Sequence, residues 1–165
     1  KPLSAEDFYY KILPYKYSDS KKSLELITKA SNLSDNKRPF YLFHKSNFES
    51  KLKKYKEALY SINKAIKLSP HKRVAFDYKK FRILRNINKE EALIFAKESI
   101  KHHIGNKYFG TFNWYLSSAS ILANELGDTK YSCKLNLEMY KVEKSEFFLN
   151  RLKYNSCQNY YLIEY

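Results

Sequence analysis

The stretch Tyr55-Lys56-Glu57-Ala58-Leu59-Tyr60-Ser61-Ile62-Asn63-Lys64-Ala65-Ile66-Lys67-Leu68-Ser69-Pro70 decides the fold. Ala58 and Ala65 stand seven residues apart, and Ile62 lies four after the first and three before the second. At 3.6 residues per turn these three share one helical face. Two alanines leave that face shallow, so a second helix can approach closely. Leu59 and Ile66 flank it. Pro70 has no backbone N–H to donate and ends the helix.

The pattern returns along the chain. Ala92-Leu93 with Ala96, Ser99 and Ile100 repeats it at an offset of 34. Upstream, Ser23-Leu24 with Ile27, Ala30 and Leu33 repeats it at 35. Downstream, Ser132-Cys133 with Asn136, Met139 and Tyr140 repeats it loosely at 40. The surplus falls around His102 to Thr111, where Gly105 and Gly110 occur. Near-constant offsets of this size signal a stacked helical repeat.

The quoted segment resembles the second helix of a tetratricopeptide repeat. That helix carries an aromatic, a Glu-Ala pair, a large apolar residue, a second Ala and a terminal Pro. Tyr55, Glu57, Ala58, Ile62, Ala65 and Pro70 match these in order. The resemblance implies an all-α fold. It is a right-handed superhelix of antiparallel helix pairs, three to four repeats long, whose first helices line a concave groove. One domain is expected over 1–165, with repeats near 4–38, 39–72, 73–106 and 113–146.

Each second helix needs a first. Leu116, Ala119, Ser120, Ala123 and Leu126 supply one, followed by a Gly127-Asp128 turn. Val74 to Asn86 and Phe40 to Leu52 supply two more, both lacking the family's Leu-Gly pair. Ser4 to Leu13 supplies the earliest. Ser4 caps it with Asp7 three residues on, and Pro14 ends it early. A capping helix over about 143–165, carrying Phe148, Leu152, Asn155, Tyr161 and Leu162, covers the last exposed face.

Composition agrees with a helical chain. Aromatics reach 17%, unlike a disordered segment. Three Gly and four Pro cannot furnish the turns of a β-sandwich. The net charge is +14, and residues 1–104 hold 24 Lys/Arg against 11 Asp/Glu. That field favours acidic partners.

Little supports catalysis, and no cofactor is expected. The Gly105 to Gly110 stretch has phosphate-loop glycine spacing but lacks the following Lys. There is no GxSxG elbow and no HExxH helix. No His is placed near a nucleophile, and no Cys/His spacing suits zinc. Glu90-Glu91 read as the acidic first turn of a helix. For Cys133 and Cys157, two buried thiols are favoured over a disulfide, which needs an oxidising compartment. No segment is apolar enough to span a bilayer. The chain starts at Lys1 without Met and reads as trimmed. A cytoplasmic location is slightly favoured, with a periplasmic or secreted one following if a leader was removed.

The candidate binding residues are those of the first helices. They are Phe43, Asn47 and Lys51, then Tyr78, Phe81, Arg82 and Arg85, then Ser117, Ile121 and Asn124. The resemblance places Asn47 at one position of the Lys/Arg/Asn clamp with which some family members grip a terminal carboxylate. The full clamp set is not recoverable. Residues 72–89 are the most basic stretch, with Lys72, Arg73, Lys79, Lys80, Arg82, Arg85 and Lys89 around Phe76, Tyr78 and Phe81. The expected role is a non-enzymatic module that holds an acidic protein or peptide segment. A sensory domain of a larger signalling protein is the alternative, and an RNA-associated repeat the third. Self-association stays open, and nucleic acid is disfavoured because no recognised motif is present.

Overall fold

In a computed structural model, the described residues are 3–69, 71, 73–105, 109–144, 146, 147, 150, 152 and 157. They contain eight α-helices and no strand. Pro70, Lys72 and residues 106–108 of the two-glycine loop lie outside them, as do Phe148, Asn155, Tyr161 and Leu162 of the expected cap. The helices fall into two compact units, Lys1–Asn88 and Lys89–Tyr165.

The first unit opens with α1 (Ala5–Tyr10). Ser4 and Asp7 form the expected capping box, and the helix stops short of Pro14. Asp19 caps α2 (Ser20–Leu33) by accepting from the Lys22 N–H. Pro39 occupies the first turn of α3 (Pro39–Lys51), where its missing N–H costs nothing. Then follow α4 (Tyr55–Leu68) and α5 (Val74–Ile87). Ser69, the residue before Pro70, is extended (φ −83°, ψ 124°), the conformation a following proline imposes.

Each helix of this unit packs on the next, and α3 also reaches α5. The quoted stretch sits at the centre. Ala58, Ile62 and Ala65 are fully buried, in one cluster with Leu42, Phe76 and Ile83. Burying Ile62 alone is worth about 1.5–3 kcal/mol. Ser23, Ile27 and Ala30 of α2 are fully buried in the same pattern. Leu33, at the end of α2, is exposed instead.

The second unit holds α6 (Lys89–Ile100), α7 (Phe109–Glu125) and α8 (Thr129–Glu143). Glu90 and Glu91 fill the first turn of α6, and Ala92, Leu93, Ala96, Ser99 and Ile100 are buried. α7 begins at Phe109, seven residues before the expected Leu116. Leu116, Ala119 and Ala123 are buried. A polar seam joins α7 to α8, where Ser120 Oγ lies 3.0 Å from Ser132 Oγ and donates to Asn136 Oδ1 at 3.1 Å. Ser99 Oγ and the Tyr115 hydroxyl share a 2.6 Å hydrogen bond.

The cysteines require a correction. Two buried thiols are favoured from the sequence, but the structure bonds Cys133 to Cys157. Their Cα atoms lie 5.4 Å apart, and both side chains are buried with Leu152 beside them. The chain returns to α8 at Leu152 and Cys157, a fold-back that a separation of 24 residues does not reveal.

Candidate functional site

Two helices of the first unit present matched stripes. On α3, His44, Asn47 and Lys51 are spaced three and four apart. On α5, Lys79, Arg82 and Asn86 have the same spacing. Residues so spaced share one helical face. Tyr55 stands at the start of α4, its hydroxyl 3.4 Å from Asn86 Oδ1. Lys16 comes from the connection between α1 and α2, and its carbonyl accepts from Lys51 Nζ at 3.1 Å. With Phe48 and Ser50 these residues line a cleft of about 430 Å³.

None of the lining residues is acidic. Among the described residues, Lys16, Lys51, Lys79 and Arg82 form no ion pair. Lys51 lies 5.7 Å from the Tyr17 ring centre and 5.6 Å from that of Phe48, and Arg82 lies 5.8 Å from that of Tyr78. Burial, with Arg82 and Lys51 nearby, pulls the Lys79 ammonium down to about 8. Burial, helped by the Lys16 charge, pulls the His44 imidazole down to about 4, so it is neutral at pH 7. Both shifts come first from burial, and neighbouring positive charges add to it. A carboxylate here would meet an Arg fork, Lys ammonium groups, two Asn amides and a phenol.

Of the residues expected from sequence, the structure brings Asn47, Lys51 and Arg82 into this cleft. Phe81 is a correction: it is fully buried and belongs to the core, because α5 turns it inward with Ile83 and Leu84. Phe43 is half-buried and stacks on Phe76 at 5.0 Å. Tyr78 and Arg85 are half-buried on α5 and do not line the cleft. Ser117, Ile121 and Asn124 lie on α7, in the second unit. Ser117 is half-buried there, and the other two are exposed.

Lys16, His44, Tyr55, Lys79 and Asn86 were not among the expected site residues. The 44-47-51 and 79-82-86 spacings were available in the sequence and would have found three of the five, His44, Lys79 and Asn86, while Tyr55 enters from the start of α4. Lys16 had no such signal, because it reaches the cleft from an irregular connection.

A larger cleft, about 640 Å³, lies within the second unit between α6 and α8. Two of its lysines are paired within it, Lys97 to Asp128 and Lys101 to Glu98. Among the described residues no group of His, Cys, Asp and Glu could hold a metal ion, and no helix is long and apolar enough to cross a membrane.

No family model matches the sequence, and no curated protein matches it. Solved structures do resemble it. A MamA RS-1 ArsTM double mutant shares 11% identity at a TM-score of 0.70, over 94% of this chain and 83% of that one. YrrB, a tetratricopeptide-repeat protein described as having an unusual peptide-binding site, shares 12% identity at 0.67, over 94% and 78%. A tetratricopeptide-repeat protein of Bacteroides fragilis NCTC 9343 shares 18% at 0.57, over 92% and 66%. The chain therefore has the tetratricopeptide-repeat fold.

Proposed function

We propose that the chain is a non-catalytic protein-interaction module whose first unit holds an acidic segment of a partner in the cleft between α3 and α5. One observation carries this reading: four cations surround the cleft and, among the described residues, none has an acidic partner. Gathering unpaired cations is unfavourable in the free protein and favourable once an anionic ligand enters. The fold supports the reading without locating the site, since YrrB, of the same fold, is described as a peptide binder.

The test is fluorescence anisotropy with a labelled ten-residue peptide rich in Glu and Asp, at physiological salt. Lys51→Glu with Arg82→Glu is expected to weaken binding by about tenfold or more, as loss of charge-assisted contacts does. The same double change should improve binding of a Lys-rich peptide. Equal affinity of wild type and variant for the acidic peptide would remove the cleft as the site. Arg85→Glu, outside the lining, should have a smaller effect.

A further inference from the structure

The cleft continues into an aromatic surface along the same helix. Phe40, His44, Asn47 and Lys51 are spaced four, three and four apart, so one stripe runs the length of α3. Its first end is aromatic. The Phe40 ring lies 4.5 Å from that of His44 and 4.9 Å from that of Tyr9, both edge-to-face. Tyr9 in turn meets Tyr10 at 6.1 Å. Phe40 is 46% exposed and Tyr10 65%, so this cluster opens to solvent. The other end is the cationic cleft. His44 belongs to both halves, touching Phe40 and Tyr9 while lining the cleft. Being neutral at pH 7, it adds no charge to the aromatic side.

Single exposed aromatics are ordinary on a protein surface. Here they are contiguous with each other and with an unpaired cationic site. From Phe40 to Asn47 the helix rises about 10 Å, and from Phe40 to Lys51 about 16 Å. An extended chain covers about 3.3 Å per residue.

We infer that the partner segment carries a two-part motif: an aromatic or large apolar side chain that rests on Phe40 and Tyr10, and a carboxylate three to five residues away that enters the cleft beside Lys51 and Arg82. This rests on the acidic-segment reading above and adds the second anchor and the spacing. A peptide suits the surface better than a single-stranded nucleic acid. Bases stack on open ring faces, along a basic groove that follows the backbone. Here the aromatics and the cations are segregated to opposite ends of the stripe rather than interleaved along it.

The experiment uses the whole chain and a set of labelled Gly/Ser peptides. Each carries one Glu-Glu pair and one Phe, separated by one, four or eight residues. A fourth peptide has the Glu pair without Phe, and a uridine oligonucleotide completes the set. The peptide with separation four is expected to bind about tenfold tighter than the peptide without Phe or the one with separation one, since a well-seated aromatic is worth that much. Phe40→Ser should erase this advantage, so that the peptides with and without Phe bind alike, with circular dichroism confirming the fold. If the acidic peptides bind alike whatever the Phe and its spacing, and Arg82→Glu weakens them all, the motif is wrong and the cleft reading stands. If no acidic peptide binds, both readings fall. If the oligonucleotide binds tightest and Phe40→Ser abolishes it, the partner class is wrong.

Discussion

Lys53 and Gly127 occupy the same turn in two different helix pairs. Each comes two residues after the last helical residue, with φ +59° for Lys53 and +79° for Gly127. The next N–H then reaches back five residues, from Lys54 to the Glu49 carbonyl at 2.9 Å and from Asp128 to the Ala123 carbonyl at 2.8 Å. Asp35 makes a third instance at φ +52°, with Asn36 bonding to Ser31 at 2.8 Å. This bond pattern ends a helix by satisfying a carbonyl that would otherwise be stranded.

The left-handed conformation is nearly free for Gly and costs a side-chain-bearing residue about 1–2 kcal/mol. Lys53→Gly is therefore expected to stabilise the first unit by about 1 kcal/mol. Lys53→Ala should bring no such gain, because its Cβ keeps the clash. Urea unfolding followed by circular dichroism measures both. An unchanged midpoint for Lys53→Gly would show that the strain is not there.

The shallow face of α4 gives a second prediction. Ala58 and Ala65 have no exposed surface, and neighbouring helices press against them. Ala58→Leu should cost about 1–3 kcal/mol by overpacking. Tyr60→Leu, on the exposed side of the same helix, should stay within about 0.5 kcal/mol. Two equal midpoints would contradict the close approach of helices at Ala58.

The Cys133–Cys157 bond closes a separation of 24 residues in the second unit. Loop-closure entropy for a ring of this size is worth about 3 kcal/mol. Reduction should lower the unfolding midpoint of the second unit. Hydrogen exchange should show faster opening in α8 and little change in α2 to α5. Alkylation under non-reducing, denaturing conditions should label neither cysteine of protein made in an oxidising compartment. Labelling of both would restore the buried-thiol expectation.

Much of this was legible in the sequence, for a physical reason. A close helix contact demands small residues at helical spacing, and Ala58, Ala65, Ala92 and Ala96 carry that demand openly. The Ser4–Asp7 box and the acidic first turn of α6 were legible because capping is local. The family's Leu-Gly pair is missing at Leu52-Lys53, yet the backbone makes the same turn with Lys in place of Gly. The site was half legible. Asn47 and Lys51 follow from counting back along the first helix. Phe81 looked like a groove residue because an aromatic among cations carries no mark of which side it faces. Lys16 and Cys157 reach their partners through tertiary folding, which spacing does not encode.

Lys79 supplies the pH test of the site. Its ammonium titrates at about 8, against an ordinary 10.5, because it is half-buried, with Arg82 and Lys51 nearby. Between those values the unfolded chain holds a proton that the folded chain has released, so this group makes stability rise with pH across that window. Binding has the opposite sign. A carboxylate in the cleft favours charged Lys79, so affinity for an acidic peptide should fall as pH rises from 7 to 9. About fivefold is expected, the value of about 1 kcal/mol of charge pairing. Lys79→Arg keeps its charge throughout that range and should flatten the profile. Lys79→Met should flatten it too, at the lower affinity, while raising thermal stability at pH 7 by removing an uncompensated, half-buried cation. A fall of the same size in all three proteins would place the titrating group elsewhere and remove Lys79 from the binding cleft.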